Sequence, residues 1–277
     1  MYQRIPVAVR AIVAGLVVQI VGVMPFMALV NLNLTVLPSV PWSAFVELIL
    51  LILFVKYFHG WGWPASTQEA RRINFRANTL PAGRKKSIAL GGALLGMTIF
   101  LLVVAGNQIV SLPAEAIGIF VQLTEAPPLT AITIFATAAV MTGVVEEVAF
   151  RGYMQVPLEG RYGQAVAILI VAVIFALIHF PSLLILPLFV IGGIGWGVLA
   201  RISNSTLPGM VVHGLVDFVF FMWVFADTEA VVSLLESSIL ETGVDSTFVT
   251  VASLALVSGV GTVAFLRHAS LVQDDPQ

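Results

Sequence analysis

The chain has 277 residues, 59% of them hydrophobic and only 10% charged, with a net charge of −2; its mean hydropathy is +1.02. A soluble domain carries roughly a quarter charged residues, so this composition excludes an ordinary soluble protein and points to the membrane. There is no cysteine, which excludes disulfides, thiolate metal ligands and a cysteine nucleophile.

A helix needs about 20 apolar residues to cross a bilayer core. The first such run, Val7 to Val30, is too long for a cleavable signal, whose apolar stretch is about 7–15 residues, and is expected to be a signal anchor. Further runs follow at Trp42–Phe58, Ile88–Val110, Leu129–Met154, Ala165–Phe180, Leu183–Ala200, Leu207–Ala226 and Phe248–Leu266. Only Pro181 and Ser182 separate the fifth from the sixth. None alternates apolar and polar residues as a barrel strand does. The expected fold is an all-α membrane protein, one polytopic domain over residues 1–277 built as a bundle of about eight transmembrane helices.

The thirteen basic residues orient the bundle. Arg4 and Arg10 precede or open the first span; Arg71, Arg72, Arg76, Arg84, Lys85 and Lys86 crowd the second loop, with Lys56 at its edge. Arg151 and Arg161 flank the fourth-to-fifth connection, Arg201 the sixth-to-seventh and Arg267 the last helix end. With eight spans all of these fall on one face. The opposite loops, around 31–41, 111–128, 181–182 and 227–247, carry Glu115, Glu125, Asp227, Glu229, Glu236, Glu241 and Asp245 but no Lys or Arg. The expectation is a multi-pass protein of the cell (plasma) membrane with both termini cytoplasmic. The loop over 59–87, which mixes basic residues with Trp61, Trp63, Ile73 and Phe75, reads as an ordinary positive-inside loop or as an interfacial amphipathic segment.

An ionisable side chain deep in a span costs at least ~2.5–3.5 kcal/mol, which makes it a functional candidate by default. The candidates are Glu146, Glu147 and Arg151 in the fourth span, His179 in the fifth, and His213 and Asp217 in the seventh. Glu47, near an outer end, and Lys56, able to snorkel, read as structural. Glu147 and Arg151 are four apart and can pair, whereas Glu146, turned about 100° away, has no such cation and suits proton transfer. His213 and Asp217 are also i and i+4, so the carboxyl could fix the imidazole tautomer; Phe175 stands one turn before His179. Singly, each group has an ordinary use as helix glue or as a satisfied polar pair. Together they fit three chemistries: water activation by Glu146 with imidazole help, a zinc site on Glu146, His179 and His213, or a proton pathway in a transporter. Neither HExxH nor GxSxG is present, and Asp217 is the only Asp within a span.

At these residues the sequence resembles the CPBP family (CAAX proteases and bacteriocin-processing enzymes, also called ABI), whose eukaryotic members are type II CAAX prenyl endopeptidases. The family pattern EExxxR, FxxxH, HxxxN/D reads here as Glu146-Glu147-Val-Ala-Phe-Arg151, Phe175-Ala-Leu-Ile-His179 and His213-Gly-Leu-Val-Asp217, with Gly152 straight after Arg151. The likeness covers roughly 130–225. It implies an intramembrane endopeptidase with a cavity open to the cytoplasm and a catalytic core over 129–226. Glu146 and His179 would activate water, and His213 and Asp217 would stabilise the oxyanion, with Glu147, Arg151 and Phe175 in support. No cofactor is expected, since a metal-free glutamate mechanism is favoured, with zinc as the alternative. The implied partners are the bilayer and a membrane-anchored protein or peptide, perhaps prenylated in the CAAX manner, and no nucleic acid. Asp217 stands where the best-understood members have Asn; an ionised Asp would repel an oxyanion, so it must be protonated or act by orienting His213. Measured from the basic face, His213 is shallow and His179 deep, so a shared site requires residues 157–163 to form a short recessed turn or the fifth span to tilt. A proton-coupled transporter and a catalytically silent scaffold or immunity protein are the competing readings.

Overall fold

The computed structural model describes residues 5–110, 117–179, 183 and 185–272. Helices form at all eight apolar runs: α1 (Val7–Val36), α2 (Trp42–Phe58), α4 (Lys85–Ile109), α6 (Pro128–Glu146), α8 (Gln164–His179), α9 (Leu186–Ser203), α10 (Leu207–Ala226) and α13 (Ser246–Leu271). Short helices fill the connections: α3 (Gln68–Phe75), α5 (Gly118–Thr124), α7 (Gln155–Tyr162), α11 (Thr228–Glu236) and α12 (Ile239–Thr242). No strand occurs among the described residues. Six helical stretches are long and apolar enough to cross a membrane, with Gln164–His179 a shorter apolar helix beside them. Peripheral helices expose apolar side chains, such as Val13, Val17 and Ile20 on α1 and Val257, Val260 and Val263 on α13. Such bands suit lipid and would be unsupportable in water. The chain is an all-α membrane protein. The Pro181–Ser182 break, Glu115 and Arg4 lie outside the described residues.

The most buried span is the helical rod Pro128–Tyr162. Its first part, α6, lies along α10, while α4 lies along α13 and α8 along α9. Small residues allow the α6–α10 approach: a Cβ on Gly143 would sit 2.7 Å from the backbone nitrogen of Gly214 and 2.7 Å from the carbonyl oxygen of Met210. Gly143→Ala is therefore expected to push α6 and α10 apart, lowering stability by about 1–3 kcal/mol, read as an earlier unfolding transition in detergent. An unchanged transition would mean that the two helices have slack that the packing does not suggest.

Two expectations need correction. Arg151 is not a loop cation: its side chain is fully buried in the bundle, so twelve basic residues rather than thirteen bear on orientation. Residues 157–163 do not form a recessed turn. The rod continues as helix to Tyr162 and reverses at Gly163, whose φ of 82° favours glycine, and residues 160–163 are exposed. Glu146 and His179 then stand at nearly equal distances, about 25 Å along their helices, from that turn, so the antiparallel hairpin brings them level without any dip.

What is recessed is the start of α10. Thr206 donates its backbone N–H to the Arg76 carbonyl at 2.9 Å and its hydroxyl to the Phe75 carbonyl at 3.0 Å. The basic loop thus seats deep against the bundle. Gly152 permits this, because a Cβ there would lie 2.3 Å from the Asn74 carbonyl oxygen. Phe75, Arg71 and Arg76 are buried while Trp61, Trp63 and Ile73 face outward. The segment is amphipathic, with its apolar outer residues free for the interface and its inner residues bound to the bundle.

Candidate active site

Immediately after Glu146 the rod widens into a π-helical stretch, Glu147–Met154. Such turns are rare and gather at functional sites. The wider turn narrows the angle between successive side chains, so Glu146 and Glu147 both reach the same imidazole. Glu147 Oε1 is 3.2 Å from His213 Nδ1, and Glu146 Oε2 is 3.7 Å from His213 Nε2. The division of labour expected from a 100° separation does not hold here.

Glu146 Oε1 lies 3.3 Å from His179 Nε2 and accepts from Gln19 Nε2 at 3.4 Å; its Oε2 makes no hydrogen bond among the described residues. His179 Nδ1 is 2.8 Å from the Phe175 carbonyl. A carbonyl only accepts, so Nδ1 carries a proton. The Glu146–His179 contact then holds a single shared proton, on the carboxyl or on Nε2. Glu147, fully buried, pairs with Arg151 Nη1 at 3.1 Å, a close ion pair whose angle falls outside that of a hydrogen bond. The guanidinium also lies 4.5 Å from the centre of the Phe175 ring. The Phe175 ring is in turn 4.3 Å from the His179 ring.

Asp217 does not orient His213 by a hydrogen bond. Its Oδ2 is 3.9 Å from His213 Nε2, and Glu147 holds the other ring nitrogen instead. Asp217 is hydrogen-bonded to Thr142. Three neighbours escaped the sequence reading. Trp196 stacks on His213 with ring centres 5.1 Å apart and planes 14° from parallel; Thr142 and Gln19 supply the polar contacts just given. Gln19 had a legible signal, a polar residue deep in an otherwise apolar stretch of α1. Thr142 and Trp196 had none. Glu47 stays outside the site: its buried carboxyl lines a separate apolar groove between α1 and α2.

Glu146, His179, His213 and Asp217 border one cavity of about 420 Å³, whose remaining wall is mostly apolar and aromatic, including Phe100, Phe120, Phe189, Phe220, Phe221 and Trp196. A large apolar pocket with a few convergent polar groups is the usual form of a ligand site. Among the described residues no group of three or more His, Asp or Glu is arranged to hold a metal ion.

Neither curated proteins nor solved structures yield a match. A family model does: residues 128–219 match "Rce1-like: Type II CAAX prenyl endopeptidase Rce1-like". That segment, about a third of the chain, contains all three motifs and every charged residue of the site. It supports the CPBP resemblance and, broadly, proteolysis in the membrane. Over residues 128–219, then, this integral membrane protein is similar to the type II CAAX prenyl endopeptidase Rce1-like family.

Proposed function

We propose that the protein hydrolyses a peptide bond of a membrane-anchored substrate, with Glu146 as the general base. One observation carries this: the Glu146 side chain lines an apolar cavity, one of its carboxylate oxygens has no hydrogen-bond partner among the described residues, and the other shares a proton with His179. In the charge-separated form of that pair, the Glu146 carboxylate takes a proton from water as the water oxygen attacks the scissile carbonyl. His179 gives the Nε2 proton to the leaving nitrogen, and the proton on Glu146 then returns to His179, restoring the pair. His213 is the oxyanion donor in this scheme. Glu147 occupies Nδ1, so donation from Nε2 requires a second proton on the ring.

Asp217 acts in its protonated form. The Thr142 hydroxyl contacts both Asp217 and the Ala138 carbonyl, the latter at 3.0 Å. One hydroxyl hydrogen serves one acceptor, so both contacts are satisfied when Asp217 supplies a proton of its own. A neutral Asp217 can also lie beside an oxyanion without repelling it. The working unit is the helical core 129–226, held in the plasma membrane.

The test is cleavage of a fluorogenic prenylated CAAX-type peptide by purified protein in detergent, with and without a strong chelator. Wild type is expected to cleave in both, and Glu146→Ala, His179→Ala and His213→Ala in neither. Activity that chelator removes and zinc restores would move Glu146, His179 and His213 into a metal site instead. No cleavage of this peptide or of a broad peptide panel would sink the protease reading.

A further inference from the structure

The cavity and the basic loops lie at opposite ends of the bundle. On the basic side, the space beyond the site is packed shut. Glu147 and Arg151 are fully buried there, as are Phe150, Met154, Leu158 and Leu199. The loop after α3 is fastened over them by Thr206 to Phe75 and Arg76, by Asn78 Nδ2 to the Asn204 carbonyl at 2.8 Å, and by the Arg76–Glu159 ion pair at 3.2 Å.

From Glu146 and His213 the cavity runs the other way. Its lining climbs α4 from Ile99 to Asn107, about 12 Å along the helix. It ends at Ile117 and Leu235, in the connections that carry no Lys or Arg. A cytoplasmic opening and cytoplasmic basic loops cannot both hold for such a cavity. Eleven basic residues among those described stand at one end and the sequence of the opposite connections has none, which favours the second.

We propose that substrate reaches Glu146 from the face free of Lys and Arg, so that it is an apolar membrane-embedded peptide segment presented at the extracytoplasmic surface, not the tail of a cytosolic protein. The phenylalanine-rich wall suits such a segment; among the described residues, its polar lining is Asn107, Thr142 and the four residues at the floor. The substrate class rests on the proteolytic reading above; the direction of access does not.

The absence of cysteine makes any introduced thiol unique. Asn107→Cys at the mouth, Val103→Cys one turn deeper and Glu69→Cys on the basic loop would be treated with a membrane-impermeant maleimide in intact cells and in inverted vesicles. The expected result is labelling of Asn107→Cys or Val103→Cys in intact cells, with Glu69→Cys labelled only in inverted vesicles. Cavity variants labelled only in inverted vesicles, or only after solubilisation, would overturn the proposal, as would Glu69→Cys labelled in intact cells. Labelling is read without turnover, so its failure leaves proteolysis standing, and a failed cleavage assay leaves the direction of access standing.

Discussion

Replacing Glu146 with Gln is expected to lower kcat by about 10²–10⁴-fold, the usual contribution of a positioned general base, while leaving KM and the unfolding transition nearly unchanged. The substitution keeps the size of the side chain and an acceptor for Gln19, which donates to Oε1 at 3.4 Å, but removes the ability to take a proton. An interaction made only in the transition state shows itself in kcat alone. If E146Q turned over at the wild-type rate, water would have to be activated elsewhere, and the place of the carboxyl in the cavity wall would be incidental. A parallel fall in stability would point instead to a packing role for the carboxyl.

The membrane class and the six long apolar helices were legible because apolar runs of bilayer length say so directly. The charged site residues were legible for a related reason: lipid makes ionisable groups costly, so the few in the spans stand out. What they do to one another was less readable. The i,i+4 spacing suggested that Asp217 holds His213, yet Glu147 does so, from another helix, because the π-helical stretch turns both Glu146 and Glu147 toward the same ring. Hydropathy does not distinguish a π turn from an α turn. The reversal at Gly163 was misjudged because span ends were placed at the edge of apolarity, near Met154, whereas the helix runs on through Gln155–Tyr162. Those extra turns of helix set His179 level with Glu146. Gly143 and Gly152 read in sequence as unremarkable small residues; their reasons, a helix crossing and a seated loop, lie far away in the chain.

The direction of access proposed above differs from the cytoplasmic opening that the resemblance implied. A resemblance confined to the motif helices carries no information about which end of the bundle is closed. Here the closure comes from α3 and the loop after it, in the half of the chain that the family match does not cover. The basic loop thus packs over the site by its buried face, and in the proposed topology its charge orients the protein.

Arg151→Met is expected to destabilise the protein by about 3–5 kcal/mol, because it leaves the fully buried Glu147 without its cation. Tryptophan fluorescence during thermal unfolding in detergent is the readout. Removing both charges, as Glu147→Leu with Arg151→Met, should recover much of that loss, since a buried pair contributes little relative to apolar residues of similar volume. The residual deficit should be about 1–3 kcal/mol, the cost of leaving the His213 Nδ1–H without its acceptor. Turnover should not recover. With Glu147 gone the ring that stacks on Trp196 loses its Nδ1 partner, and with it the hold that keeps Nε2 toward the cavity. This pair of variants separates the two uses an intramembrane Glu–Arg pair can have. A double variant that regained both stability and turnover would make the pair helix glue. One that is stable and inactive makes Glu147 a positioning residue, paired with Arg151 and holding His213 toward the substrate.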